Sequence, residues 1–392
     1  MKKYVWVAGL LCAAVTLALC ACVKASVQSE ADTSVQSEAA SAPVPTTPPV
    51  ITLSPGANPL TGLALAADAP SGVRPLAVMV DNVKAALPQR GLAAADLVYE
   101  MVTESGITRL MAIYSNPAEM PAVGPVRSAR DQHVQLMLPL GADYLHVGGS
   151  TYANEMLAKY RYETKSLNGM VQTDVLVLDS DRNALTSIEH CWFTSGALYT
   201  AAAQNDALDT VAHEVLPAFQ FTPYTGAPRV LIDGDAVRVS VRFSSYTNTV
   251  FTYDAASNRY RKAQFGADQI DENTGETVSF DNVLILFTDI TKYPDGILAQ
   301  VDYAFGGVGF YVNGGRYEKV RWMKGAPESP LRIVALDGTE TPVSINPGTS
   351  YVAMVDLSKY PYFKMSATEE ASVPESDVPL QDADAQESPD DT

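Results

Sequence analysis

The 392-residue chain carries 45 Asp and Glu against 27 Lys and Arg, a net charge of -18. That balance excludes the usual nucleic-acid binders, which gather Lys and Arg on one face, and the length allows two domains of ordinary size. Nine of the acids fall between Ser366 and Thr392, a stretch without Lys or Arg, so residues 366–392 read as an acidic disordered tail and the remainder is only mildly acidic.

Residues 1–21 have the form of a secretory signal, with Lys2 and Lys3 followed by an uncharged apolar run from Tyr4 to Ala21. Its end, Leu19-Cys20-Ala21-Cys22, resembles the lipobox of bacterial lipoproteins, which makes Cys22 the lipidated residue; Cys20 is an unusual occupant of its position. The alternative is an uncleaved anchor, since about 18 apolar residues can just span a bilayer. Either way the rest of the chain lies outside the cytoplasm on a membrane tether. Cys12, Cys20 and Cys22 belong to this leader, leaving Cys191 alone in the body, where Trp192 and Phe193 favour an inert buried thiol. Residues 22–56, with a repeated Ser-Val-Gln-Ser-Glu-Ala and a Pro/Thr-rich run, are a disordered spacer.

From residue 57 the pattern alternates strands and helices. Leu76 to Val80 reads as a buried strand ending at Asp81 and Asn82. Leu97–Thr103 and Ile107–Tyr114 form a hairpin across Glu104-Ser105-Gly106. Val123-Gly-Pro-Val-Arg-Ser-Ala-Arg-Asp131 then leads into an amphipathic helix that stops at Pro139 and Gly141, with Ser128 as N-cap and Asp131 at capping-box spacing. Tyr144–Val147 is a strand running into Gly148 and Gly149, Tyr152–Tyr160 a helix, Val175–Leu178 a strand and Ser195–Gln204 a helix. Beyond Leu216 come short strands at Val230–Ile232, Val237–Phe243, Val250–Tyr253, Tyr260–Lys262, Val283–Thr288, Gly306–Tyr311, Val320–Trp322 and Tyr351–Val355. Turn signals such as Asp233-Gly234 and Asn313-Gly-Gly315 separate them. The expected fold is α+β: a mixed α/β N-terminal domain over residues 57–215, then a mostly antiparallel β C-terminal domain over 216–365.

The arginines of the Gly124–Arg130 run stand out. Arg127 falls just outside the expected helix start and Arg130 in its first turn, where the helix dipole disfavours cations by roughly 0.3–1 kcal/mol each. An anion remedies this, as a bound ligand held by guanidinium forks and backbone N–H groups or as carboxylates of the same domain that simply fix the fold. Asp81 and Asn82 at a strand end, Glu100, Glu104 and Arg109 on the hairpin, and His146 before the Gly148–Gly149 pair are candidates to join Arg127, Ser128 and Arg130 in one polar cleft. A hydrolase using Asp81, Glu100, Glu104 and His146, with or without a divalent metal, is the alternative. Yet the chain has no His-x-x-x-His, Gly-x-Ser-x-Gly or cysteine cluster, so binding is favoured over catalysis, with no cofactor and no resident metal. His133 belongs on the helix surface or against the hairpin, while His190 and His213 lack ligand spacing. Tyr303, Phe305, Phe310, Tyr311, Tyr317 and Trp322 read as core aromatics, with sugar stacking as the alternative.

Several stretches resemble the YerB-like family of bacterial lipoproteins, a two-part domain of unknown biochemical function. They are Pro75–Asn82, Pro88–Leu92, Ala95–Glu100, Gly106–Arg109, Gly124–Arg130, His146–Ser150, Trp322 and Ile345–Gly348. The resemblance spans roughly Asn58 to Asp356 and implies a two-part fold and an envelope location; it brings no catalytic residues. Expected partners are the membrane through the lipid on Cys22, a cell-wall or other anionic ligand, and an envelope protein if the arginine network is purely structural.

Overall fold

A computed structural model describes residues 51–369, apart from 68, 70, 71, 163, 206, 207, 209 and 212–214. The signal segment, Cys22, the spacer up to residue 50, His213 and the tail from residue 370 lie outside the described residues.

The first half supplies β1 (Leu76–Asp81), β2 (Leu97–Val102), β3 (Thr108–Tyr114), α1 (Asp131–Met137), β4 (Asp143–His146), α2 (Thr151–Lys159), β5 (Ser166–Asn168) and α3 (Gly196–Asn205). The second supplies β6 (Arg238–Arg242), β7 (Asn248–Asp254), β8 (Arg259–Gln264), β9 (Asn282–Thr288), β10 (Gly307–Asn313), β11 (Arg316–Met323), β12 (Arg332–Val334), β13 (Ser350–Asp356) and β14 (Lys364–Ser366). The β2–β3 hairpin closes as the sequence leads one to expect: Ser105 and Gly106 both take positive φ (47° and 86°), the pair of left-handed residues that matches strand twist.

The larger sheet runs β12-β11-β10-β9-β13-β2-β3-β1-β4-β5, with Gly234–Asp235 beside β11. Its late strand β13 sits in the middle, parallel to β9 on one side and to β2 on the other. The fold is α+β, and this sheet runs without a break from strands of the first half into strands of the second. A smaller antiparallel sheet is built on β8, β7, β6 and β14.

Both faces of the larger sheet are buried. Ala77 and Met79 of β1, Leu284 and Leu286 of β9 and Val352 and Met354 of β13 face α1 and α2. The alternate residues Val78, Val80, Ile285, Ala353 and Val355 face the smaller sheet and α3. Two-sided burial is why these strands read as unbroken apolar runs rather than as alternating ones. Trp322 belongs to the first core, its indole N–H donating to the Phe287 carbonyl at 2.9 Å, and Tyr303 and Tyr311 are buried as well; Phe305 is exposed.

Two expected strands differ. Val175–Leu178 is a 3-10 turn (Thr173–Val175) followed by only two extended residues. Val230–Ile232 is irregular, because its backbone is held by side chains instead of a ladder: Asn346 accepts from Arg229 N–H and Arg316 donates to the Leu231 carbonyl. Residues at the end of the expected spacer are ordered against the fold, with Leu53 on the first core and Thr52 N–H donating to Gln220.

Glu100 joins the layers. It is fully buried in β2, accepts from Asn82 and Thr108, takes the Tyr351 hydroxyl of β13, and lies 3.5 Å from the Lys262 ammonium of β8 in the smaller sheet. Lys262 also donates to Gln264, which donates to Asn82; burial depresses its pKa, and Glu100 opposes that shift. Removing one partner of such a pair strands the other. Glu100→Ala is expected to cost about 3–5 kcal/mol, whereas Glu100→Leu combined with Lys262→Met should recover most of it. Urea unfolding at pH 7 measures both.

Candidate functional site

The parallel strands β1 and β4 pair only from Leu76↔Asp143 to Val78↔Leu145. Beyond that point they splay, and residues 126–129 fill the gap as an extended segment. Arg127 N–H donates to the Met79 carbonyl at 3.1 Å on one side; on the other, the Arg127 carbonyl accepts from Val147 and Ala129 N–H donates to Gly148. This pairing consumes the backbone where a helix start was expected. The N-cap of α1 is therefore Arg130, in extended geometry and without a side-chain cap, and neither the Ser128 cap nor the capping box forms. Gly149 packs closely: a Cβ there would lie 2.7 Å from the amide oxygen of the exposed Asn154 side chain, which can give way, and 3.3 Å from Ala129 Cβ.

The arginines are held from behind by buried acids. Glu104 at the hairpin tip receives a two-pronged contact from Arg130 (2.9 Å to each oxygen) and a third bond from Arg109 at 2.5 Å. Burial raises the Glu104 pKa, but Arg109 and Arg130 outweigh it and bring it to about 2. Asp81 closes β1 with Arg127 at 3.3 Å and His190 Nδ1 at 2.7 Å; here too burial is outweighed, by Arg127 first, and the pKa is about 2. Arg109 also donates to the Ser128 carbonyl, fixing the segment that carries Arg127.

Above them opens a cleft of about 960 Å³. Arg127, Ser128, Arg130, Glu104, Gly148 and Gly149 line its floor, joined by the start of α2 from Ser150 to Tyr152. Its rim carries Trp192, Met170, Ile188, Glu155, Glu189 and Asp295. The last arrives because Leu298, three residues on, bridges to Glu104. Six of the expected site residues thus meet in one cavity, with Asp81 and Arg109 directly behind them.

Three others stand apart. Glu100 and Asn82 belong to the interlayer network with Lys262. His146 is buried, with Nδ1 2.6 Å from the Gly148 carbonyl and Nε2 2.8 Å from Ser166 Oγ, so it braces the glycine loop. Gly148 N–H donates to Asn168, so the expected cradle of two glycine N–H groups is reduced to Gly149. The Asp81, Glu100 and Glu104 carboxylates and the His146 ring therefore have different side-chain partners, and only Glu104 lines the cleft. His133 is buried beneath the Arg109 carbonyl, and Cys191 is a buried thiol. His190, dismissed on spacing, is the Asp81 partner 109 residues away. Tyr152, Trp192, Glu155 and Asp295 carried no sequence signal beyond residue type.

Two of the buried histidines, His133 and His146, set the acid limit. Burial lowers His133 to about 3 and His146 to about 4. Both stay neutral in the folded chain while the unfolded chain protonates near 6.5. Their contribution is complete above pH about 6.5 and is lost as pH falls toward 4, by about 1.4 kcal/mol per pH unit for each histidine. Asp81 and Glu104 contribute stability above pH about 4 that disappears as pH falls toward 2. Urea unfolding from pH 7 to 4 should therefore show a steep slope that His133→Gln roughly halves.

Comparison with known proteins covers both halves of the chain. Residues 60–209 match the family model described as the N-terminal domain of a protein of unknown function, DUF3048, and residues 239–352 match its C-terminal domain. The chain is 29% identical over 266 residues to "Putative lipoprotein YerB" of Bacillus subtilis (strain 168), covering 67% of this chain and 77% of that protein. The crystal structure of YerB from Bacillus subtilis superposes with a TM-score of 0.64 at 24% identity, covering 76% of this chain and 96% of that one.

Proposed function

Since the chain belongs to the two-part DUF3048, or YerB-like, family, we propose that it is a membrane-anchored extracytoplasmic lipoprotein that recognises an anionic ligand of the cell envelope. The anchor on Cys22 is supported by the lipobox-like leader and by the name of the Bacillus relative. Among the described residues no helix is long and apolar enough to cross a membrane.

One observation carries the ligand reading: two electropositive features open into the same cleft. Arg127 and Arg130 form one wall. The other is the start of the nine-residue helix α2, which has no acid in its first turn. A guanidinium has five N–H donors, so an arginine that steadies a buried carboxylate can also meet a ligand. Arg127, Ser128, Gly149 and Thr151 would hold a carboxylate or phosphate, with Asp81, Glu104 and Arg109 setting the arginine geometry and His146 the loop. The hydrolase reading has less support, because of its four candidate residues only Glu104 lines the cleft.

A second reading, docking to an envelope protein, is favoured by the exposed apolar side chains Met170 and Ile188 at the cleft and by Val171, Val177 and Leu185, exposed in the same stretch of chain.

Thermal unfolding of the full chain in detergent separates the two. Citrate or phosphate at 100 times its Kd should add about 2.7 kcal/mol of stability. Arg127→Lys keeps a charge beside Asp81 but loses the planar fork, and should fold while losing that gain. An unchanged gain in Arg127→Lys, or none in the natural chain, refutes the anion site.

A further inference from the structure

The cleft is not uniformly positive. Next to Thr151 in the cleft lining, Tyr152 stacks on Tyr293 with ring centroids 3.6 Å apart and planes 11° from parallel. Tyr293 is fixed from below by its hydroxyl, which donates to Asp131 at 2.6 Å. Glu155, one turn along α2 from Thr151, and Asp295, on the loop tied to the hairpin tip, flank this pair; both are exposed. Tyr152, Glu155 and Asp295 line the same cleft, and the Tyr152 pKa is raised by desolvation first and then by the charges of Asp295, Glu155 and Asp131. Among the described residues neither Glu155 nor Asp295 forms an ion pair with Lys or Arg, and Asp295 Oδ1 accepts from the Ile297 and Leu298 N–H groups. An electron-rich ring edged by carboxylates attracts an organic cation by both charge and ring quadrupole. Met170 and Ile188, which also line the cleft, offer apolar side chains that are 67% and 51% exposed.

From this arrangement we propose that the cleft takes a short zwitterionic peptide, its carboxylate on the Arg127 wall and an ammonium at Tyr152, Glu155 and Asp295. The inference rests on the anion-recognition reading above and adds the second pole and the peptide class. A purely anionic polymer would place its charges against the acidic rim, and a simple anion would leave the rim and the apolar side chains unused. A peptide of three residues or so supplies all three chemistries and fits within about 960 Å³.

The test uses isothermal titration of the full chain in detergent with Nα-acetyl-L-lysyl-D-alanyl-D-alanine, its L-alanyl-L-alanine counterpart, and the Nε-acetylated form of each. The expected result is that Nε-acetylation weakens binding about five- to tenfold, in keeping with two exposed charge contacts. In the Glu155→Gln, Asp295→Asn variant that discrimination should fall below about twofold, while the acetylated peptide still binds as it does to the natural chain. With the amine preferred over the acetylated peptide, preference for the D-alanyl form assigns the ligand to wall peptide and preference for the L form to a protein segment. Equal affinity for amine and acetylated peptide, with loss in Arg127→Lys, overturns the second pole but leaves the anion site standing. Failure of every peptide to bind overturns the peptide proposal, and the citrate and phosphate melts then decide the anion reading separately.

Discussion

One carboxylate ties the molecule together. Glu100 lies where β2, β13 and the smaller sheet meet, and it satisfies Tyr351 and Lys262 from two different layers at once. A charge buried this deeply is tolerated only with its partners in place, so strand order and layer spacing have to agree before the network can close. Asn82, Gln89, Gln264 and Gln269 extend it through further buried hydrogen bonds. Such a network adds little net energy but strongly penalises misregister, since a one-residue slip of β2 would turn Glu100 to the opposite face.

The same economy governs the cleft. Arg109, Arg127 and Arg130 hold the extended segment between the splayed strands, and Arg127 and Arg130 supply the cleft's positive wall. Their acids, Asp81 and Glu104, are kept ionised by the guanidinium groups and lock each side chain into one orientation. A wall fixed in this way loses little entropy on meeting a ligand. It is placed by the divergence of β1 and β4, the position beyond parallel strand ends where α/β sheets gather ligands.

Much of this was legible in the chain. The apolar runs at Leu76–Val80, Val283–Thr288 and Tyr351–Val355 announced strands, and Ser105-Gly106 and Asn313-Gly-Gly315 announced their turns. Arg127, Ser128 and Arg130 stood out at an expected helix start and Gly148–Gly149 at a strand end, and the fold brings them to one cleft. What could not be read was decided by distant partners. Ser128 and Asp131 have capping-box spacing, yet the backbone at Ser128–Ala129 is committed to β4's continuation. Glu100 and His146 have the residue types of a site, but their partners, Lys262 and Ser166, face them inside the protein. His190 looked isolated because Asp81 is 109 residues away. Val230–Ile232 has strand composition with no strand to pair.

The central place of β13 has a consequence for how the chain comes into being. Glu100 and its Tyr351 partner are 251 residues apart, so a polypeptide emerging from its N-terminus displays β2 with an unsatisfied edge until almost the last folded residue has appeared. Pairings of such range are slow to find, because the closing loop must surrender its freedom before any contact compensates. During that interval β2 and β9 are both open to the wrong neighbours. A chain cut short before Ser350 would keep those edges open for good, so completion of the polypeptide itself acts as the checkpoint for a closed sheet.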